Sequence, residues 1–180
     1  MKKFRTGLSS LYHKVRLLVK ATRVFEDARQ NMIRVGVQEG MRVVDLGCGF
    51  GFYTFAMSDL VGPEGTVYAL DHSPDCINHI TMRAKDSGRR NIEAILSKAE
   101  DTGLPSDSVD IILIVLVLHD IEDKERAVRE CYRVLKPSGL LAINEEGAMP
   151  REGVFEAVEG RGFKFDREVG GDFFLFRKVD

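Results

Sequence analysis

The chain has 180 residues, 44% of them hydrophobic and 30% charged, with a net charge of −2, which excludes a disordered, fibrous or membrane-spanning chain and fits one ordinary globular domain. No apolar run is long enough to span a membrane, and Val15 to Lys20 is too short and too charged for a leader core. Cys48, Cys76 and Cys131 are odd in number and widely spaced, with no C-x-x-C pair, so neither a disulfide framework nor a zinc or other metal site is expected, and a cytoplasmic setting is the default.

In chain order, the first element is a basic arm. Lys2, Lys3, Arg5, Lys14, Arg16, Lys20 and Arg23 precede the first acidic residue, Glu26, while the chain as a whole is acidic. Leu8, Leu11, Tyr12, Val15 and Leu18 recur at helical spacing, which predicts an amphipathic helix within a helical extension over 1–38. A single core domain over 39–180 follows. Strands are expected at Arg42 to Leu46, Thr66 to Asp71, Ile92 to Leu96, Val109 to Leu116 and Leu140 to Glu145. Helices are expected at Phe52 to Leu60, Ser73 to Asp86, Lys124 to Leu135 and around Gly153 to Glu159. Phe163 to Val169 and Phe173 to Val179, joined by Gly170 and Gly171, read as an antiparallel hairpin. The alternation predicts an α/β fold: a doubly wound, mostly parallel seven-stranded sheet of Rossmann-like type, with the hairpin at its C-terminal end.

The first strand runs through Asp45 into Gly47, Gly49 and Gly51, and the second ends at Asp71, about twenty residues past the last glycine, where a carboxylate can accept from both hydroxyls of a ribose. A dinucleotide site would carry a third glycine at position 52, to bring a helix N-terminus against a pyrophosphate, but Phe52 stands there. Asp45 suits a ligand bearing ammonium and sulfonium groups better than a pyrophosphate. The pattern therefore favours S-adenosylmethionine (SAM) over NAD.

Val43 to Thr54, Asp71, Ala99-Glu100-Asp101-Thr102-Gly103-Leu104-Pro105, Val109 to Asp120 and Leu135-Lys136-Pro137-Ser138-Gly139 resemble, in that order, the motifs of class I SAM-dependent methyltransferases. The chain is most similar to the small-molecule branch that includes the ubiquinone and menaquinone C-methyltransferases and the arsenite methyltransferases. In open sheets the ligand lies beyond the carboxyl ends of the strands where strand order reverses. Backbone amides of Gly47, Gly49 and Gly51 are expected to meet the methionine carboxylate, Asp45 the amino group, Asp71 and His72 the ribose side, and Ala99, Glu100 and Val115 the rest of the adenosine. Where relatives carry an acid ahead of the Ala-Glu pair this chain has Lys98, which cannot accept from the adenine amine.

Methyl transfer depends chiefly on alignment, so no nucleophile is required. If the acceptor must lose a proton, His119 is the expected catalytic base, with Asp120 to orient it and Glu145 or Glu146 as alternatives. Only the short run Gly147 to Pro150 lies where relatives insert a substrate cap. The acceptor site is then open, or completed by a second copy in a homo-oligomer. A small-molecule acceptor is the leading expectation. The rivals are RNA or protein methylation with the basic arm as the docking surface, and a non-catalytic SAM-binding module.

Overall fold

The computed structural model describes residues 27–170 and 173–179, so the predicted arm helix over residues 8–18 lies outside the described residues. The described part opens with helix α1 over 27–35. There follow β1 (Arg42–Leu46), α2 (Phe52–Val61), β2 (Thr66–Asp71), α3 (Pro74–Asp86), β3 (Ile92–Leu96), β4 (Val109–Val115), α4 (Lys124–Val134), β5 (Leu135–Asn144), α5 (Arg151–Val158), β6 (Phe163–Val169) and β7 (Phe173–Lys178). A single 3-10 turn, Leu118–Asp120, links β4 to α4.

The seven strands form one sheet in the order β3-β2-β1-β4-β5-β7-β6. Strands β1 to β5 are parallel, and β7 enters antiparallel between β5 and β6. The predicted class and terminal hairpin are therefore observed. The order reverses between β1 and β4, which opens a crevice above their carboxyl ends.

Alternation along the buried strands divides the core between the two faces of the sheet. Val44, Leu46, Ile112, Ile114, Leu141 and Ile143 turn toward α4 and α5, where Ala127, Val128, Cys131, Val154 and Val158 meet them. Val43, Val67, Ile111, Leu113 and Ala142 turn the other way, toward Met32 and Val35 of α1 and Met57 and Val61 of α2. Ile80 of α3 packs with Ala69 and Cys48 in a smaller cluster.

Several boundaries differ from expectation, and three of the differences have a local cause. Strand β4 ends at Val115 because Leu116 adopts φ +53°, outside the extended region. Strand β5 begins at Leu135 rather than Leu140: Leu135 pairs with Val109, and the register shifts before Leu140 pairs with Ile111. The Lys136 to Gly139 run, left between the expected helix and strand, is that irregularity, with Ser138 at φ +62°. Helix α3 starts at Pro74 with Ser73 as its N-cap, the Ser73 side chain accepting from the Cys76 amide.

Candidate functional site

The first turn after β1 is shaped by the protein itself. The amides of Gly47 and Cys48 both donate to the Leu70 carbonyl, at 2.8 and 3.0 Å, and the Gly51 amide donates to the Cys48 carbonyl at 2.9 Å. The Gly49 amide donates to Oδ2 of Asp71 at 2.9 Å. All three glycine amides expected at a ligand carboxylate are thus spent inside the fold, which corrects that reading. The glycines supply clearance instead. A Cβ at Gly47 would meet Val117 Cγ2 at 2.4 Å, and one at Gly51 would meet Ile80 Cδ1 and Phe55 Cε2 at 2.8 Å. A Cβ at Gly49 would meet nothing within 4 Å, so the middle of the turn faces open space.

Asp71 ends β2 and is 9% exposed. Its Oδ1 accepts from the Ser73 amide at 2.8 Å, so each carboxylate oxygen holds one backbone N–H and keeps lone-pair capacity toward the crevice. His72 is 85% exposed at the rim, its Nδ1 3.8 Å from Asp71 Oδ1. Asp45 is buried beneath the turn, and Thr54 of α2 donates its hydroxyl to Oδ2 at 2.5 Å. Burial pushes the Asp45 carboxyl up to about 6 against the lowering effect of its bonds from Thr54, with the neighbouring Asp71 charge adding to the rise. An ammonium group would relieve that penalty.

A cavity of about 290 Å³ opens above β1, β2 and β4. Gly47, Asp71, His72, Ala99 and Glu100 line it, together with Ser97, Lys98, Val117, Asp120 and Glu122. Lys98 is exposed on the cavity wall, and its backbone forms an isolated bridge with Asp101. The Ser97 hydroxyl, by contrast, is buried without a partner in the cavity wall. Val115 is not brought there: it shares the face of Ile111 and Leu113 and packs with them, while Val117, re-aimed by the left-handed Leu116, takes the place expected of it.

The wall on the far side is braced twice. Glu130 of α4 accepts from the Thr102 amide and hydroxyl at 2.9 and 2.6 Å and from Arg133 Nε and Nη2, each at 2.8 Å. Arg133 in turn donates to the Leu104 carbonyl, so α4 clamps the loop that follows Glu100. These bonds hold the Glu130 carboxyl down to about 2. The second brace is Glu145, just past β5. Its Oε1 accepts from the amides of Val117 and Leu118 at 2.8 and 2.6 Å, and its Oε2 lies 2.6 Å from His119 Nδ1. Buried and fully engaged, Glu145 is not the free base it was entertained as, and it, rather than Asp120, holds the His119 ring most closely.

The cysteines do not converge as metal or arsenic ligands would. Cys48 and Cys131 are buried in different clusters, with burial raising both thiols, Cys131 to about 12. Among the described residues no group of His, Cys, Asp and Glu could hold a metal ion, and no helix is long and apolar enough to cross a membrane.

The strand order, the turn under β1 and the acid ending β2 define a Rossmann-like nucleoside-binding protein. The donor of class I methyltransferases fits what is present: a carboxylate with free lone pairs, an open glycine turn with a buried acid beneath it, and an orphaned hydroxyl in the cavity wall. Residues 37–158 match the model of the methyltransferase domain family, and the chain belongs to it, as a class I SAM-dependent methyltransferase. It is 30% identical over 139 residues to a demethylmenaquinone methyltransferase of Geobacillus stearothermophilus, covering 77% of this chain and 59% of the relative. It is 32% identical over 146 residues to one of Listeria welshimeri, covering 81% and 61%. The chain thus spans about three fifths of the length of these relatives. Among solved structures it resembles a SAM-dependent methyltransferase from Aquifex aeolicus, with a TM-score of 0.77 and 28% identity over 86% of this chain and 90% of that one.

Proposed function

We propose that this protein transfers the methyl group of SAM to a small-molecule acceptor. The observation that carries the reading is Asp71, set at the end of β2 on the cavity wall with both oxygens fixed by backbone amides. There it holds the two ribose hydroxyls. Asp45 faces the ammonium group from below the turn. Ala99 and Glu100 bound the adenosine, and the exposed Lys98 leaves the adenine edge to backbone and to Ser97. When bound, SAM supplies an electrophilic methyl on a sulfonium, whose departure leaves a neutral thioether. The residues orient the donor and keep it from water, and such alignment contributes up to about 7–11 kcal/mol. His119 receives the proton that the acceptor loses.

A quinol-like acceptor is the reading that the similarity to demethylmenaquinone methyltransferases supports. The cavity rim, with Asp120, Glu122 and Glu100, is acidic and would repel a nucleic-acid backbone, so the described residues favour a small acceptor over RNA. Calorimetric titration with SAM, S-adenosylhomocysteine and NAD tests the donor: the first two bind and NAD does not. Failure of both in folded, ligand-free protein would reject the reading. Transfer of radiolabelled methyl to a demethylated naphthoquinol, with bulk RNA as the rival substrate, then tests the acceptor.

A further inference from the structure

We propose that Glu145 is a positioning residue that fixes the tautomer of His119, so that Nε2 is the ring nitrogen left to take a proton. The inference rests on the reading of the crevice as a methyl-transfer site, which it deepens.

The Glu145 side chain is 1% exposed, and a carboxylate there is tolerable only if its lone pairs are used. They are. Oε1 takes two backbone amides, from Val117 and Leu118, and Oε2 takes His119 Nδ1 at 2.6 Å. An ionised carboxylate can only accept, so Nδ1 must carry a proton. A neutral imidazole has one N–H, which leaves the lone pair on Nε2. Histidine free in water favours the opposite tautomer, so this arrangement is imposed by the fold.

Nε2 is 3.3 Å from Oδ2 of Asp120, whose side chain lines the cavity and is 82% exposed, while His119 itself is 30% exposed. A proton arriving on Nε2 therefore forms an imidazolium between two carboxylates. The step balances. The acceptor atom bonds to the methyl carbon as the carbon–sulfur bond breaks, its electron pair stays on sulfur, and the proton of the acceptor passes to Nε2. The device serves an acceptor whose attacking atom must lose a proton, such as an enol, a phenol or a hydroquinone. The other oxygen serves the same wall: by pinning Val117 and Leu118 it seats the Val117 side chain over Gly47.

The substitution that separates these roles is Glu145→Gln. Its carbonyl oxygen can still accept from the two backbone amides, while its amide donates toward Nδ1 and so demands the other tautomer. Long-range proton–nitrogen spectra of histidine-labelled protein read the tautomer directly, with His119 assigned by its loss in His119→Asn. Neutral wild-type His119 is expected as the Nδ1–H form, and Glu145→Gln as the Nε2–H form. A wild-type ring in the Nε2–H form, or the same tautomer in both proteins, overturns the proposal, and the wild-type spectrum alone decides if the variant does not fold. Titration of wild-type protein with S-adenosylhomocysteine is run beside it. Absence of binding there rejects the donor reading without altering what the spectra say of Glu145.

Discussion

The two sides of the ligand crevice are built very differently. On one side β4 is buried along almost its whole length, β5 covers it, and α4 and α5 close over Ile112, Ile114, Leu141 and Ile143. On the other, no residue of the edge strand β3 is fully buried, and α3 buries only Ile80 and Ala84. The braces follow the same division, since Glu130 and Glu145 both act on the β4 side. Buried apolar area and satisfied polar groups are what make a segment resist local opening. Under the proposed reading, His119 and Glu145 thus stand on the stiff wall, and the adenosine is received between it and a lighter flank.

The largest test of that contrast is a pair of truncations. Ile114→Ala, in the middle of the core, should cost about 2–5 kcal/mol in denaturant unfolding, and Ile92→Ala on β3 clearly less. Equal costs would erase the distinction. Asp45 lies at the seam between the sides. Its folded value of about 6 exceeds the ordinary 3.8, so the folded state holds the proton more tightly and the stability this gives is lost as pH rises through 6. Asp45→Asn should therefore stabilise the ligand-free protein at pH 7 by up to about 3 kcal/mol, an advantage that shrinks away below pH 4, while weakening SAM binding. Thermal melts across pH, with and without SAM, check both halves.

On the lighter flank, Asp71→Ala should weaken S-adenosylhomocysteine by about 10- to 100-fold in calorimetry, the worth of hydrogen bonds to a charged group. Unchanged affinity would reject the ribose assignment. On the stiff side Glu130 has the opposite sign from Asp45. Held at about 2 against an ordinary 4.5, it stabilises fully above 4.5, and that contribution is lost as pH falls toward 2. Glu130→Gln should cost about 1–2 kcal/mol at pH 7 and nothing near pH 2 by urea unfolding.

Much of this was legible locally. Short apolar runs alternating with helical stretches marked the strands, and the glycine turn and the acid ending β2 marked the crevice, because each is a short-range pattern. Val115 was misplaced for a reason the alternation partly contained: it continues the face of Ile111 and Leu113. What hid Val117 was the left-handed Leu116, a bulky residue in a conformation that no sequence rule assigns to it. The spent glycine amides depend on Leu70 and Asp71, and Glu145 reaches His119 across 26 positions, so these partners emerge only when the strands stand side by side. The arm that suggested macromolecular docking lies outside the described residues and bears on none of this.

The self-satisfied turn beneath β1 has a consequence for the catalytic cycle. With the amides of Gly47, Cys48, Gly49 and Gly51 already engaged, binding should demand little ordering from the loop. Fresh and spent donor then meet the same wall. Under the proposed reading, what separates them is charge, a sulfonium against a thioether, and not a change of fit. Inhibition by accumulated product is the natural outcome of such a rigid seat.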